Sequence, residues 1–208
     1  MALVKLNNRG VRSATAFGSI TGLGSMVFIK KLTASSSATV SFVDGTSDVV
    51  LDNTYKEYLF TFKNIHCATD DTHFEFNMSA DSGSNYNVIK TTTFFKANHD
   101  EAGSSTDLSY YTSGDIAQGT GFQNISMGVG SDNDQCTVGY LHLFDPSSTT
   151  FVKHFITRTH TTESSDIAWS GFTAGYGNTT SAVDAVQFKF SSGNIDSGTI
   201  KLYGIKDS

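Results

Sequence analysis

Polar and apolar residues alternate through most of the chain after Met26. Tyr58, Phe60 and Phe62 share one parity against Leu59, Thr61 and Lys63, and Phe74, Phe76 and Met78 repeat the arrangement against His73, Glu75 and Asn77. Near the end, Val186, Phe188 and Phe190 alternate with Gln187 and Lys189, and Ile200 and Leu202 with Thr199, Lys201 and Tyr203. A period of two puts each set on one face of a half-buried strand. Further strands are expected over 26–29, 38–43, 86–95, 122–127, 137–144, 151–159 and 167–173. Turn residues separate them about every dozen positions, among them Ser35-Ser36-Ser37, Asp44-Gly45, Asp81-Ser82-Gly83-Ser84-Asn85 and Asp145-Pro146-Ser147.

That spacing predicts an all-β fold of antiparallel strands, a sandwich or barrel over 26–208. Two hairpins stand out. One turns at Pro146 and joins 141–144 to 151–154; the other is a closing hairpin over 186–205 that holds the chain end inside the fold. The best helical candidate, 181–186, is barely one turn and too short to hold itself. Residues 1–25 carry Gly10, Gly18, Gly22 and Gly24 with no sustained period, which reads as an extended arm.

Composition sharpens the surface. Charged residues make up 16% of the 208, while Ser and Thr supply about a quarter, so the exterior is hydroxyl-rich rather than charge-rich. Charge is unevenly placed: the first 43 residues hold five cations and no acid, leaving −11 on the remainder of a chain whose net charge is −6. Lys5, Arg9 and Arg12 make the arm a basic anchor for an acidic neighbour, another copy of this body included. Five dispersed cations are too few for the clustered phosphate neutralisation that nucleic acid demands, so no nucleic-acid partner is expected.

Catalytic motifs are not found. Gly45-Thr46-Ser47-Asp48-Val49 lacks the second glycine of a nucleophile elbow, Gly22-Leu23-Gly24 lacks the third of a dinucleotide fingerprint, and no phosphate-binding Gly-Lys-Ser/Thr occurs. Cys67 and Cys136 have no metal-ligand spacing and read as free thiols, with a mutual disulfide as the alternative. His142 and His154, on the two arms of the Pro146 hairpin, offer two imidazoles but no third ligand. Asp132-Asn133-Asp134 opens like a calcium loop, without its sharp-turn glycine or distal glutamate, and Asp70-Asp71 and Asp100-Glu101 read as solvated turns. No catalytic residue, metal or cofactor is therefore expected. Tyr110, Tyr111, Trp169 and Tyr176 sit near Gly/Ser-rich segments and are candidates for holding a sugar ring, if they line one exposed groove. No secretory signal and no membrane-spanning run is expected.

Several stretches resemble small virion structural proteins of marine tailed bacteriophages. They are Asp81-Ser82-Gly83-Ser84-Asn85-Tyr86-Asn87-Val88, the run from Leu143 through Pro146 to Phe155, Ala174-Gly175-Tyr176-Gly177-Asn178-Thr179-Thr180, and the end from Phe188 to Ile205. The resemblance implies a sandwich of jelly-roll type without enzymatic activity, displayed on a tail or capsid and anchored by its arm. It also implies virion proteins and further copies of the chain as partners; a homotrimer is expected first among the assemblies, because closed cyclic symmetry suits a repeated surface module, and a host-surface glycan held by the candidate aromatics is a further expected partner. A stand-alone carbohydrate-binding module is the competing expectation.

Overall fold

The computed structural model describes residues 25–207, so the arm up to residue 24, with Lys5, Arg9 and Arg12, lies outside the described residues. The described residues form strands β1 (Met26–Ser37), β2 (Val40–Val43), β3 (Glu57–Cys67), β4 (Phe74–Ser79), β5 (Lys90–Asp100) and β6 (Thr106–Tyr110). The second half adds β7 (Gln123–Asn124), β8 (Thr137–Phe144), β9 (Lys153–Glu163), β10 (Ile167–Gly177), β11 (Ala185–Phe190) and β12 (Ile195–Ile205). All pairing is antiparallel. One sheet has eight strands in the order β1-β12-β3-β8-β9-β10-β5-β6, and the other four in the order β2-β11-β4-β7.

The two layers pack as a β-sandwich. Inward residues of β3 and β12 meet those of β2, β4 and β11 across a core rich in phenylalanine. Phe188 is its hub: the rings of Phe42, Phe60, Phe62, Phe74 and Phe76 all lie between 5.2 and 6.4 Å from it, mostly edge to face. Rings pack this way because each edge is positive and each face negative. A second, smaller cluster of Phe94, Met127 and Trp169 lies under β5 and β10, with Tyr111 against it.

The closing strands differ from the expected hairpin. β11 pairs with β2 and β4, whereas β12 pairs with β1 and β3, so residues 191–194 carry the chain from one layer to the other. Alternation fixes which face of a strand is buried but not which strand it pairs with; here the two apolar faces meet across the core instead of lying side by side. The Pro146 connection is a true hairpin, with Leu143 opposite Phe155. Three boundaries also move. β1 runs through Ser35, Ser36 and Ser37 because β12 pairs with it to Ser37, 86–89 stays outside β5, and the strand expected over 122–127 shrinks to β7. Residues 181–184 form no helix.

Two lysines are buried at one end of the sandwich, both opposite Gly177, one on each side of it. Lys153 donates to the carbonyls of Ser148, Phe151 and Thr179, three acceptors that suit an ammonium. Lys90 has two, Asn77 Oδ1 at 2.5 Å and the Val88 carbonyl at 2.8 Å, which match the two hydrogens of a neutral amine. Burial pulls Lys90 down to about 7 and shifts Lys153 in the same direction, opposed there by Asp145.

Two measurements test these assignments. Phe188→Ala empties the centre of the aromatic cluster and should cost about 3–5 kcal/mol in denaturant unfolding, with Phe188→Leu losing less. Between about pH 7 and pH 9 the unfolded chain holds a proton on Lys90 that the folded chain has released, so stability should rise with pH. The gain is at most about 1.4 kcal/mol per pH unit, and Lys90→Met should flatten that part of the slope.

Candidate functional site

Four strands cannot cover eight. The small sheet faces the β1-β12-β3-β8 half, and the inner side of β9, β10 and β5 is closed instead by segment 111–130. This contact is polar and specific. Thr92 donates to Gln123 Oε1 at 2.6 Å, Gln123 Nε2 donates to the Gly114 carbonyl at 2.6 Å, and Thr159 donates to the Ile125 carbonyl. Buried threonines take several of the inward positions here; the Thr92 hydroxyl also accepts the Ile116 N–H at 2.8 Å, and with the Thr159 bond to Ile125 these hydroxyls satisfy backbone groups of the covering segment.

The outer side of the same strands carries the most unusual surface of the molecule. Ten large apolar side chains are exposed, and eight of them, Met26, Phe28, Phe95, Leu108, Tyr110, Val138, Tyr140 and Ile156, point outward from the eight-stranded sheet. Leu108 is 74% exposed. Cross-strand register aligns them in rows, since directly opposed residues share a face. One row runs Tyr140, Arg158, Phe172, Phe95, Tyr110 across β8, β9, β10, β5 and β6. Within it Phe95 and Phe172 stack at 4.8 Å with their planes 3° apart, and the Arg158 guanidinium lies 5.0 Å from the Phe172 ring. Next to it runs His142, Ile156, Ala174, Thr93.

Charge divides this face. Outward positions of β8, β9, β10, β5 and β6 hold no aspartate or glutamate; Arg158 is their one permanent charge, and His99, His142, His154 and His160 stand among them. Lys31, Lys201 and Lys63 occupy the remaining third. His142 Nε2 lies 2.9 Å from Glu57 Oε2 at the boundary between the two regions.

The four aromatic residues singled out for sugar binding separate into two pairs. Tyr110 and Tyr176 are on the outer face; Tyr110 is half exposed, and its hydroxyl donates to Asp115 Oδ2 at 2.5 Å, a bond that pushes its ionisation upward. Tyr176 lies 6.0 Å from the His154 ring. Tyr111 and Trp169 are on the inner face, where Trp169 is only 5% exposed and its ring meets Tyr111 at 90°. They do not line a common groove. The sequence reading missed the outward set of Phe95, Leu108, Val138, Tyr140 and Ile156. Its signal was the second parity of strands whose first parity was already apolar, as in Leu141, His142, Leu143, Phe144.

The remaining candidates resolve into structure. His142 and His154 are on adjacent strands two positions out of register, and among the described residues no three His, Cys, Asp or Glu side chains group to hold a metal ion. The Asp132–Asp134 loop is closed by Gln135, whose backbone N–H donates to the Asp132 carbonyl and whose Oε1 accepts the Asp132 N–H. Both cysteines are free; Cys67 is buried, donates toward the Val129 and Gly130 carbonyls, and is pushed up to about 11 by burial, which leaves it an inert thiol. The chain matches no protein-family model, no curated protein and no solved structure.

Proposed function

We propose that this chain is a non-enzymatic structural component of a tailed-phage particle, displayed on its surface and assembled from copies of itself through the outer face of β8-β9-β10-β5-β6. One observation carries the reading: six of the ten exposed large apolar side chains, Phe95, Leu108, Tyr110, Val138, Tyr140 and Ile156, lie on this one face. Monomeric soluble proteins rarely leave so much contiguous apolar surface uncovered. Five strands at about 4.8 Å spacing, the longest of 11 residues at about 3.4 Å each, make a face of about 24 by 37 Å, room enough for the roughly 800 Å² per partner of a stable interface.

The charge pattern favours a head-to-tail contact. Two such faces packed on one another would bring together Arg158 and the four histidines with no carboxylate on either side to pair them, whereas the carboxylates of the chain stand mostly in loops and strand ends away from this face. A face without acids meeting the acidic flank of the next copy gives a heterologous contact; where its rotation closes it makes a ring, of which three copies form the smallest. Segment 1–25, with Lys5, Arg9 and Arg12, then anchors the ring to other virion proteins. The strand orders β1-β12-β3-β8 and β2-β11-β4-β7 support the jelly-roll reading, with β9-β10-β5-β6 continuing the first sheet.

Ile156→Asp and Phe95→Asp place a carboxylate on the face without touching the core. The native chain should elute at a multiple of its 22.4 kDa in light-scattering chromatography, and the variants at the single-chain mass while still folded by circular dichroism. An antibody against the domain should label intact particles in electron micrographs. A monomeric native chain, variants that keep the multimer, or unlabelled particles would overturn the reading.

A further inference from the structure

Where the inner face of β5 and β10 runs past segment 125–130, a cleft of about 200 Å³ opens. Its floor is apolar, formed by Trp169 and Met127 of the smaller core cluster. Its walls are polar. Gly128 stands between two carboxylates: a Cβ there would be 3.0 Å from Glu163 Oε1 and 3.3 Å from Asp71 Oδ1. With φ of +60°, the backbone at this point favours glycine, and the missing side chain keeps the gap between the acids open.

Opposite charge and donors come from Lys96 and His73. Lys96 is 3.5 Å from Asp107 and 5.6 Å from the centre of the Tyr111 ring, which hold it at the cleft. The Gly128 N–H donates to His73 Nδ1 at 3.2 Å, so the hydrogen of the neutral ring sits on Nε2. Burial lowers the His73 ionisation and keeps it in that neutral form near pH 7.

This chemistry selects among ligands. A phosphate or carboxylate would meet Asp71 and Glu163. A metal ion would need a third clustered ligand, and no such group occurs among the described residues. Acceptors and donors in alternation above an apolar floor match a ring with hydroxyls on its rim and C–H groups on its face. We propose that this cleft binds one neutral hexopyranose residue, its hydroxyls donating to Asp71 and Glu163 and accepting from Lys96 and His73. The buried Trp169 serves as floor rather than as a stacking platform, and the cleft is separate from the outer face.

The chain holds a single tryptophan, so Trp169 reports on the cleft alone. The methyl glycosides of glucose, galactose, mannose and N-acetylglucosamine, each titrated to about 50 mM, should include at least one that shifts the Trp169 indole N–H resonance saturably. Asp71→Asn and Glu163→Gln, both folded by circular dichroism, should each weaken that response at least about tenfold, because a charge-assisted acceptor becomes a neutral amide. Unmoved Trp169 with all four sugars, an unchanged response in both variants, or a response to inorganic phosphate alone overturns the proposal. None of these outcomes alters the native mass or particle labelling, so failure here is distinct from failure of the assembly reading.

Discussion

A sheet of four strands is about 19 Å wide and a sheet of eight about 38 Å, so one layer of this sandwich leaves half of the other uncovered. Everything distinctive in the molecule follows from how that half is closed. Inside, segment 111–130 takes the place of strands. A loop brings backbone N–H and C=O groups that no ladder satisfies, and buried Thr92, Thr159 and Gln123 supply the missing partners. Phenylalanine in those positions would leave the loop carbonyls without donors, at a cost of about 1–3 kcal/mol for each orphaned group.

The covered half obeys a different rule. There both layers are strands paired in ladders, and bulk decides: the rings around Phe188 fill the space between sheets. This division explains why the two cores stay separate and why the cleft lies where it does. Rings pack edge to face through the first core, whereas the gap opens at the margin where segment 125–130 is draped over the twisted sheet. The gap collects the polar ends of the residues that border it, Asp71, His73, Lys96 and Glu163.

The layer structure was legible in the sequence because alternation is a local property: Phe74, Phe76 and Met78 declare a buried face whatever they face. Pairing is not local. The parity of Phe188 and Phe190 is the same whether the next strand lies beside β11 or across the core from it, and the closing segment took the second course. Short strands with little burial escaped for the same reason. Nothing in Thr106-Asp107-Leu108-Ser109-Tyr110 marks β6 except its pairing with β5. The cleft was the least legible feature, since Asp71, Lys96, Gly128 and Glu163 come from four separated segments; of the aromatic candidates, Trp169 and Tyr111 border it, while Tyr110 and Tyr176 lie one face over.

Strands β9, β10, β5 and β6 therefore carry two unlike surfaces on one backbone. A residue change of one position along β5 moves from Phe95, outside, to Lys96, inside, and every such strand is constrained on both parities at once. That double constraint is costly for a sheet meant only to enclose a core, because an apolar outer face exposed to water gains nothing for folding. It is economical for a protein that covers the outer face with a neighbour: burial then completes a second hydrophobic layer and rigidifies the strands that frame the cleft. In the reading proposed above, assembly through the outer face and sugar binding in the inner cleft use opposite sides of the same extension, joined by the pleat of the sheet.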